Sequence, residues 1–319
     1  MGRVTPDEHD ILVWRLNESS GPYRNTGVTS PNDVSTDLNI TNTIVRTGTG
    51  VFDDSCAQFP STGNFPTGAS ATRNYAAGAK TINPTPPLTV SAWVYLKSYT
   101  TTNNTTLFGK EYRDSTITSS WTSPFQAINI STLTSNGGQD WIAQVALTSS
   151  TNATFTVTDF PIPLQQWSHI GLTHDGTDLR AYLNGFQCIR YSGSTQLNSV
   201  AAASLSYTDG VNGFGFWRTG AITATGSANK EEPNILIQDI RVADIARPLD
   251  YFKLVYKVGV LPITVTSAVR YYKLRAYDTS CTTPTPVVWV DTEISLANAP
   301  AFPCIGPYST PEVLDTWFA

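Results

Sequence analysis

The chain has 319 residues, 40% hydrophobic and 11% aromatic with 8 Trp, which is enough apolar material for a large core and excludes wholesale disorder. Only 14% of residues are charged and the net charge is -5, so the surface is polar through Thr, Ser, Asn and Gln. The 20 basic residues form no run, which excludes a phosphate-neutralising nucleic-acid surface.

The opening, MGRVTPDEHDILVWRL, lacks the apolar stretch of a secretory signal, and no 18-residue apolar segment follows, so neither a leader nor membrane insertion is expected. Short alternating runs then dominate: Leu88–Leu96 (LTVSAWVYL), Trp141–Leu147 (WIAQVAL) and Ala153–Phe160 (ATFTVTDF). More follow at His169–Asp175, Leu179–Gly185, Asn212–Trp217 and Ile235–Val242. Period-two alternation predicts half-buried strands. Asp175–Asp178 (DGTD) and Asn184-Gly185 supply the residues that accept positive φ, and so predict tight hairpin turns. Many short strands punctuated by Gly, Asn and Pro predict an all-β sandwich or jelly roll. One helix of one or two turns is expected within Ala246–Lys257, where Leu249, Phe252, Leu254, Val255 and Tyr256 are apolar.

Beyond Gly259 the chain changes character, which predicts a sandwich over 1–258 and a β-rich extension or arm over 259–319. Trp289, Trp317 and Phe318 are the aromatic candidates by which such an arm anchors. The four cysteines, Cys56, Cys188, Cys281 and Cys304, lack metal-type spacing and argue against zinc. Four free thiols are expected, with a Cys281–Cys304 bridge as the alternative.

The order of these motifs resembles laminin-G-like, concanavalin A-like jelly rolls. DILVWRLNESSGPYRNTG resembles the opening strand and its Asn-x-Gly pair, CAQFP the next strand, and LTVSAWVYL the strand that carries a core Trp, here Trp93. WSHIGLTHDGTDLRAYLNG is similar to the paired strands of the family, and ILIQDIRVADIARPLDYFKLVY to the closing strand and helix. The likeness runs from about Asp10 to Lys257. It implies an antiparallel sandwich and leaves function open, because this fold serves lectins, adhesion modules, sugar hydrolases and viral structural proteins.

Catalysis finds little support in the residues. The hydrolases on this fold need a Glu-x-Asp-x-x-Glu strand with two carboxylates flanking the sugar bond. That spacing is absent, and Glu231-Glu232 are adjacent and followed by Pro233. His169 and His174 lie five apart on one strand and project to opposite faces, and no G-x-S-x-G elbow occurs. No enzymatic activity is expected.

Calcium is the cofactor the resemblance makes worth considering, with Asp114, Asp175, Asp178 and Asp209 as candidate donors in loops. Against that, no dense acidic cluster occurs, and solvated turn residues explain these positions as well. Sugar stacking would fall to Tyr112, Trp121 and Trp217, which lie near loop-like or strand-end segments, while Trp93, Trp141 and Trp167 sit in strand patterns and read as core. Asn-x-Ser/Thr sequons at Asn17, Asn39, Asn103, Asn104, Asn129 and Asn152 are chance products of an Asn-, Ser- and Thr-rich chain.

A neutral, hydroxyl- and amide-rich sandwich suits work outside cells, whereas the leaderless start suits synthesis in a cytoplasm. Laminin-G-like domains of bacteriophage particles meet both conditions. The expectation is therefore a non-catalytic structural or adhesion protein of a virion: a capsid decoration, head fibre, or tail or baseplate component. Its expected partners are other virion proteins, copies of itself and a host-surface glycan. A secreted carbohydrate-binding module is the alternative, with a glycoside hydrolase behind it.

Overall fold

The computed structural model describes residues 3–28, 33–41, 44–48, 50–59, 75–99, 105–111, 126–147, 152–192, 195–202, 205, 217–220, 234–260, 287–288 and 301–302. In chain order the strands are β1 (Asp10–Trp14), β2 (Leu38–Thr41), β3 (Val45–Thr47), β4 (Cys56–Phe59), β5 (Tyr75–Gly78), β6 (Leu88–Leu96), β7 (Thr105–Glu111), β8 (Gln126–Thr132), β9 (Trp141–Ala146) and β10 (Asn152–Val157). They continue with β11 (Trp167–His174), β12 (Asp178–Leu183), β13 (Phe186–Gln187), β14 (Arg190–Ser192), β15 (Thr195–Leu197), β16 (Val200–Ala201), β17 (Trp217–Gly220) and β18 (Ile235–Ala243), and then helix α1 (Leu249–Val260). Contacts divide the chain into Met1–Leu261 and Pro262–Ala319. In the second unit the described residues form one short ladder, β19 (Val287–Val288) against β20 (Ala301–Phe302).

The first unit is a sandwich of two antiparallel sheets. A nine-stranded sheet runs β13-β12-β11-β6-β18-β4-β3, with β1 added beside β18 and β16 beside β12. A seven-stranded sheet runs β10-β9-β8-β7-β17-β5-β2. Their facing sides share one core that includes Trp14, Phe59, Val90, Val94, Phe108, Ile128, Trp141, Phe155, Leu172, Trp217 and Val242. Trp14 and Trp217 meet across it with ring centroids 6.2 Å apart. Burying side chains of this size stabilises by roughly 1.5–3 kcal/mol each, which is why two sheets close on one another. The resemblance is legible in these contacts. Asn25 of the Asn-x-Gly pair accepts hydrogen bonds at Oδ1 from the Val13 and Gly27 amides, and Ala57 and Phe59 enter the core from β4.

Both predicted turns form. Asp175 Oδ1 accepts from the Thr177 and Asp178 amides and from the Thr177 hydroxyl, while the Asp175 amide donates to Asp178 O. Asn184 and Gly185, at φ 52° and 81°, join the paired residues Leu183 and Phe186 as a two-residue hairpin loop.

Of the strand expected at Asn212–Trp217, Trp217 alone is among the described residues, and it belongs to β17, which runs to Gly220. One expectation is corrected. The helix has 12 residues rather than one or two turns, because it continues through Val258, Gly259 and Val260. Gly259 is what allows that continuation: a Cβ there would lie 2.2 Å from Cζ2 of Trp93. The helix packs a second apolar layer on the outer face of the nine-stranded sheet, around Trp93, Val51 and Val255. Tyr256 stacks on Trp93 at 6.0 Å, and Phe252 on Tyr182 at 3.9 Å. Changing Gly259→Ala is expected to cost a net ~2 kcal/mol, since overpacking outweighs the gain in helix propensity. Urea unfolding checks this, and an unchanged midpoint would mean that the helix end is not clamped on Trp93.

Candidate functional site: the outer face of the seven-stranded sheet

Side chains alternate between the two faces of a strand, so the inward row of this sheet fixes the outward one. Leu38, Gly78, Trp217, Lys110, Ile128, Val145 and Ala153 are paired in register across it and face the other sheet. Lys110 belongs to this inward row, fully buried, with Nζ donating to Lys80 O at 3.1 Å and 5.7 Å from the Trp217 ring. One residue along, the register aligns Asn39, Ala77, Arg218, Gly109, Asn129, Gln144 and Thr154 on the opposite, outer face. Six gaps of about 4.8 Å give this row a length of about 29 Å. A parallel row on the same face joins Thr106, Ser131, Ile142 and Thr156.

Hydrogen bonds set the polarity of these rows. Ser131 Oγ and Thr106 Oγ1 donate to Asn129 Oδ1 at 2.6 and 3.3 Å. Gln144 Nε2 donates to Thr154 Oγ1 at 2.7 Å. With its oxygen engaged, Asn129 has its Nδ2 protons to give a ligand; Gln144 has Oε1 to accept and Thr154 its hydroxyl proton to donate. Thr106, Ser131, Asn129 and Arg218 are buried, whereas Gln144, Thr154 and Thr156 are half-buried. The arrangement is a fixed donor and acceptor array across several strands, with one guanidinium.

The residues expected to bind are placed differently. Trp217 was a stacking candidate, but its ring is 1% exposed. It is packed against Trp14 and donates from Nε1 to Ile82 O, so both its faces belong to the core and it offers no platform to a sugar. Tyr112, Trp121, Asp114 and Asp209 lie outside the described residues, as do Glu231, Glu232, Trp289, Trp317, Phe318, Cys281 and Cys304. Asp175 and Asp178 both bind Arg180, at 2.5 and 3.1 Å. Asp175 is thereby held well below the usual carboxylate range, burial opposing while Arg180 and the turn amides dominate together. Among the described residues no group of three or more His, Cys, Asp or Glu side chains is placed to hold a metal ion. Cys56 and Cys188 are buried free thiols, each pushed up to about 12 by burial.

His169 and His174 are both buried in β11. His169 sits 5.2 Å from Trp93 and 5.9 Å from Phe252, and burial, with the nearby Arg241 cation, lowers its pKa to about 3. His174 Nδ1 accepts from the Gly176 amide at the hairpin. Trp167, expected in the core, is half-buried on the outer face of the nine-stranded sheet, edge-on to Tyr95 at 5.8 Å.

Sequence reasoning missed the outer row. Asn129 registered only as a sequon, yet it lies mid-strand at 7% exposure. Arg218 was not singled out, and the strands of Thr106, Gly109 and Asn129 were not identified.

The model of the concanavalin A-like lectin/glucanases superfamily matches residues 69–223. No curated protein sequence matches the chain. Among solved structures, domain 4 of an extracellular arabinanase of Geobacillus stearothermophilus, in complex with arabinotriose, is similar at 14% identity and a TM-score of 0.50, covering 78% of this chain and 100% of that one. The binding domain of botulinum neurotoxin serotype D/C is similar at 10% identity and 0.49, over 79% of this chain and 52% of that one. Trypanosoma rangeli sialidase in complex with sialic acid is similar at 10% and 0.48, over 80% and 34%. The chain spans about half the length of the toxin binding domains and a third of the sialidases. The fold is a concanavalin A-like antiparallel β-sandwich.

Proposed function

We propose that this protein is a non-catalytic binding module that holds a glycan on the outer face of its seven-stranded sheet. The half-exposed, in-register Gln144 and Thr154, with Thr156 beside them on the same face, carry the reading. Sugar hydroxyls both donate and accept, and a row of amides and hydroxyls with prearranged protons serves them without reorganising on binding. An arabinanase domain of the same fold, solved with arabinotriose, supports a saccharide as the ligand class. The setting we infer is a virus particle, where a neutral, Thr/Ser/Asn-rich sandwich serves as a capsid decoration, head fibre, or tail or baseplate adhesin beside copies of itself.

Gln144→Ala combined with Thr154→Ala is expected to weaken glycan binding at least tenfold on an array, each lost hydrogen bond being worth about 0.5–1.5 kcal/mol. The melting temperature should stay within about 2 °C, because both side chains lie half-exposed on the outer face. Unchanged binding would move the site elsewhere. The particle setting is tested separately, by mass determination and by reconstruction of virions carrying the protein. A monomer that binds glycans and is absent from particles would instead be a free lectin-like module.

A further inference from the structure

We propose that a second copy of this chain pairs antiparallel along strand β10, joining the two seven-stranded sheets into one continuous sheet. β10 ends its sheet and is paired, in an unbroken register, with β9. Among the described residues its side-chain bonding is with β9 as well, Gln144 donating to Thr154. In an antiparallel ladder alternate residues turn their N–H and C=O away from the partner strand, so half of the six residues of β10 present main-chain donors and acceptors at the edge. The strands at the other ends of the two sheets are covered or short. Tyr23 exchanges main-chain bonds with Leu38 of β2, β3 has three residues and carries Arg46, and β13 has two. β10 has no charged residue, no proline and no bulge, the devices that keep an edge from pairing.

The side chains favour an identical partner. A copy related by a two-fold axis sets like residues near like, so a charged edge would repel itself. On the outer face β10 carries Asn152, Thr154 and Thr156, all uncharged and half-buried. With the axis through Thr154, that residue faces its own mate and Asn152 faces Thr156. Amide and hydroxyl groups each donate and accept, so both kinds of pair can bond. The inward residues Ala153, Phe155 and Val157 are buried in the core already and keep their places. At the same margin β10 packs against β12 of the facing sheet, and the terminal strand beside β12 is β13, where Phe186 is 69% exposed. A large apolar side chain left to water beside an open edge is what an abutting copy would cover. One consequence rests on the glycan reading above: the Gln144–Thr154 pairs of the two copies would share one outer face. Their Gln144 positions would lie three strand spacings, about 14 Å, apart, so that one oligosaccharide could engage both copies.

Sedimentation equilibrium on the full chain should give twice the 34.6 kDa chain mass at micromolar concentration. Hydrogen exchange of the Asn152–Val157 edge amides should slow at least tenfold between dilute and concentrated protein, as the copies pair. Thr154→Lys sets two cations opposite each other and should return the protein to a monomer, with these amides exchanging at the dilute rate. A monomer at every concentration overturns the proposal and leaves the edge to a strand of another protein. A dimer that survives Thr154→Lys, or whose edge amides exchange as fast as in dilute protein, overturns it too. Should Thr154→Lys fail to fold, the exchange comparison on the unaltered protein decides alone. Glycan binding by a strict monomer would leave the glycan reading standing without this one, and a dimer with protected edge amides that binds no glycan would do the reverse.

Discussion

Replacing Arg241 by methionine is expected to lower the stability of the sandwich by about 3–5 kcal/mol. Arg241 is 2% exposed, and its Nε donates to Asp239 Oδ2 at 2.9 Å while Nη1 lies 3.5 Å from Asp10 Oδ2. Both carboxylates are equally buried, and Nη2 donates to Val4 O. Burial opposes the Arg241 charge, but Asp239 and Asp10 together hold it firmly protonated. Desolvation already raises Asp10 despite its cations, so it has little to lose before the pairing fails. Among the described residues, removing the guanidinium would leave Asp10 with Arg247 at 3.1 Å and the Asp7 amide, and Asp239 with Arg3 at 3.8 Å. Urea denaturation followed by Trp fluorescence gives the loss. Adding Asp10→Asn should return part of it, since the orphaned charge rather than the missing bond carries the cost. A loss below 1 kcal/mol for Arg241→Met would show that water replaces the pairing.

The second large effect is acid lability from His169. An unfolded histidine binds a proton below about 6.5, whereas folded His169 does so only near 3. Between those values the unfolded chain holds the extra proton, so stability rises with pH and falls on acidification. The loss should approach ~1.4 kcal/mol per pH unit and reach the order of 4 kcal/mol by pH 3. Asp7 adds its own loss only lower: hydrogen bonding from Arg247 holds it at about 2, so its share disappears between about 3.8 and 2. His169→Phe keeps a ring beside Trp93 and Phe252 and should remove the upper part of the slope. Parallel stability curves for the two proteins between pH 6 and 4 would refute the assignment.

Much of the fold was legible because alternation reports burial on one face. Leu88–Leu96 is such a case: its inward residues Val90, Ala92 and Val94 meet the other sheet, and Trp93 points outward into the helix layer. The same pattern hid Trp217, because a Trp beginning a four-residue strand has too few neighbours to reveal which way it faces. Gly259 reads in the sequence as the point beyond which the chain changes character; that it also admits the Trp93 ring rests on a contact between distant segments that no local pattern reveals. The candidate site was illegible for a deeper reason. Arg218, Gly109, Asn129 and Gln144 come together only through strand register, and register is set by pairing between segments up to 109 positions apart (218 minus 109). Thr and Asn on strands such as β7 and β8 also blunt the apolar alternation that marks a strand, so the elements bearing the site were the hardest to see.

Strand β18 pairs with β6 on one side and with β4 and then β1 on the other, its neighbours changing at the bulge around Asp239. The strand that joins these partners is thus the last of the sandwich to be synthesised. A nascent chain that has emerged only to residue 230 has β1, β4 and β6 but nothing to bring them together. Closure of the nine-stranded sheet therefore waits on the ribosome, and the non-local contacts it requires make it slow by topology. During that interval the half-built sheet has exposed edges, which are open to pairing with other chains.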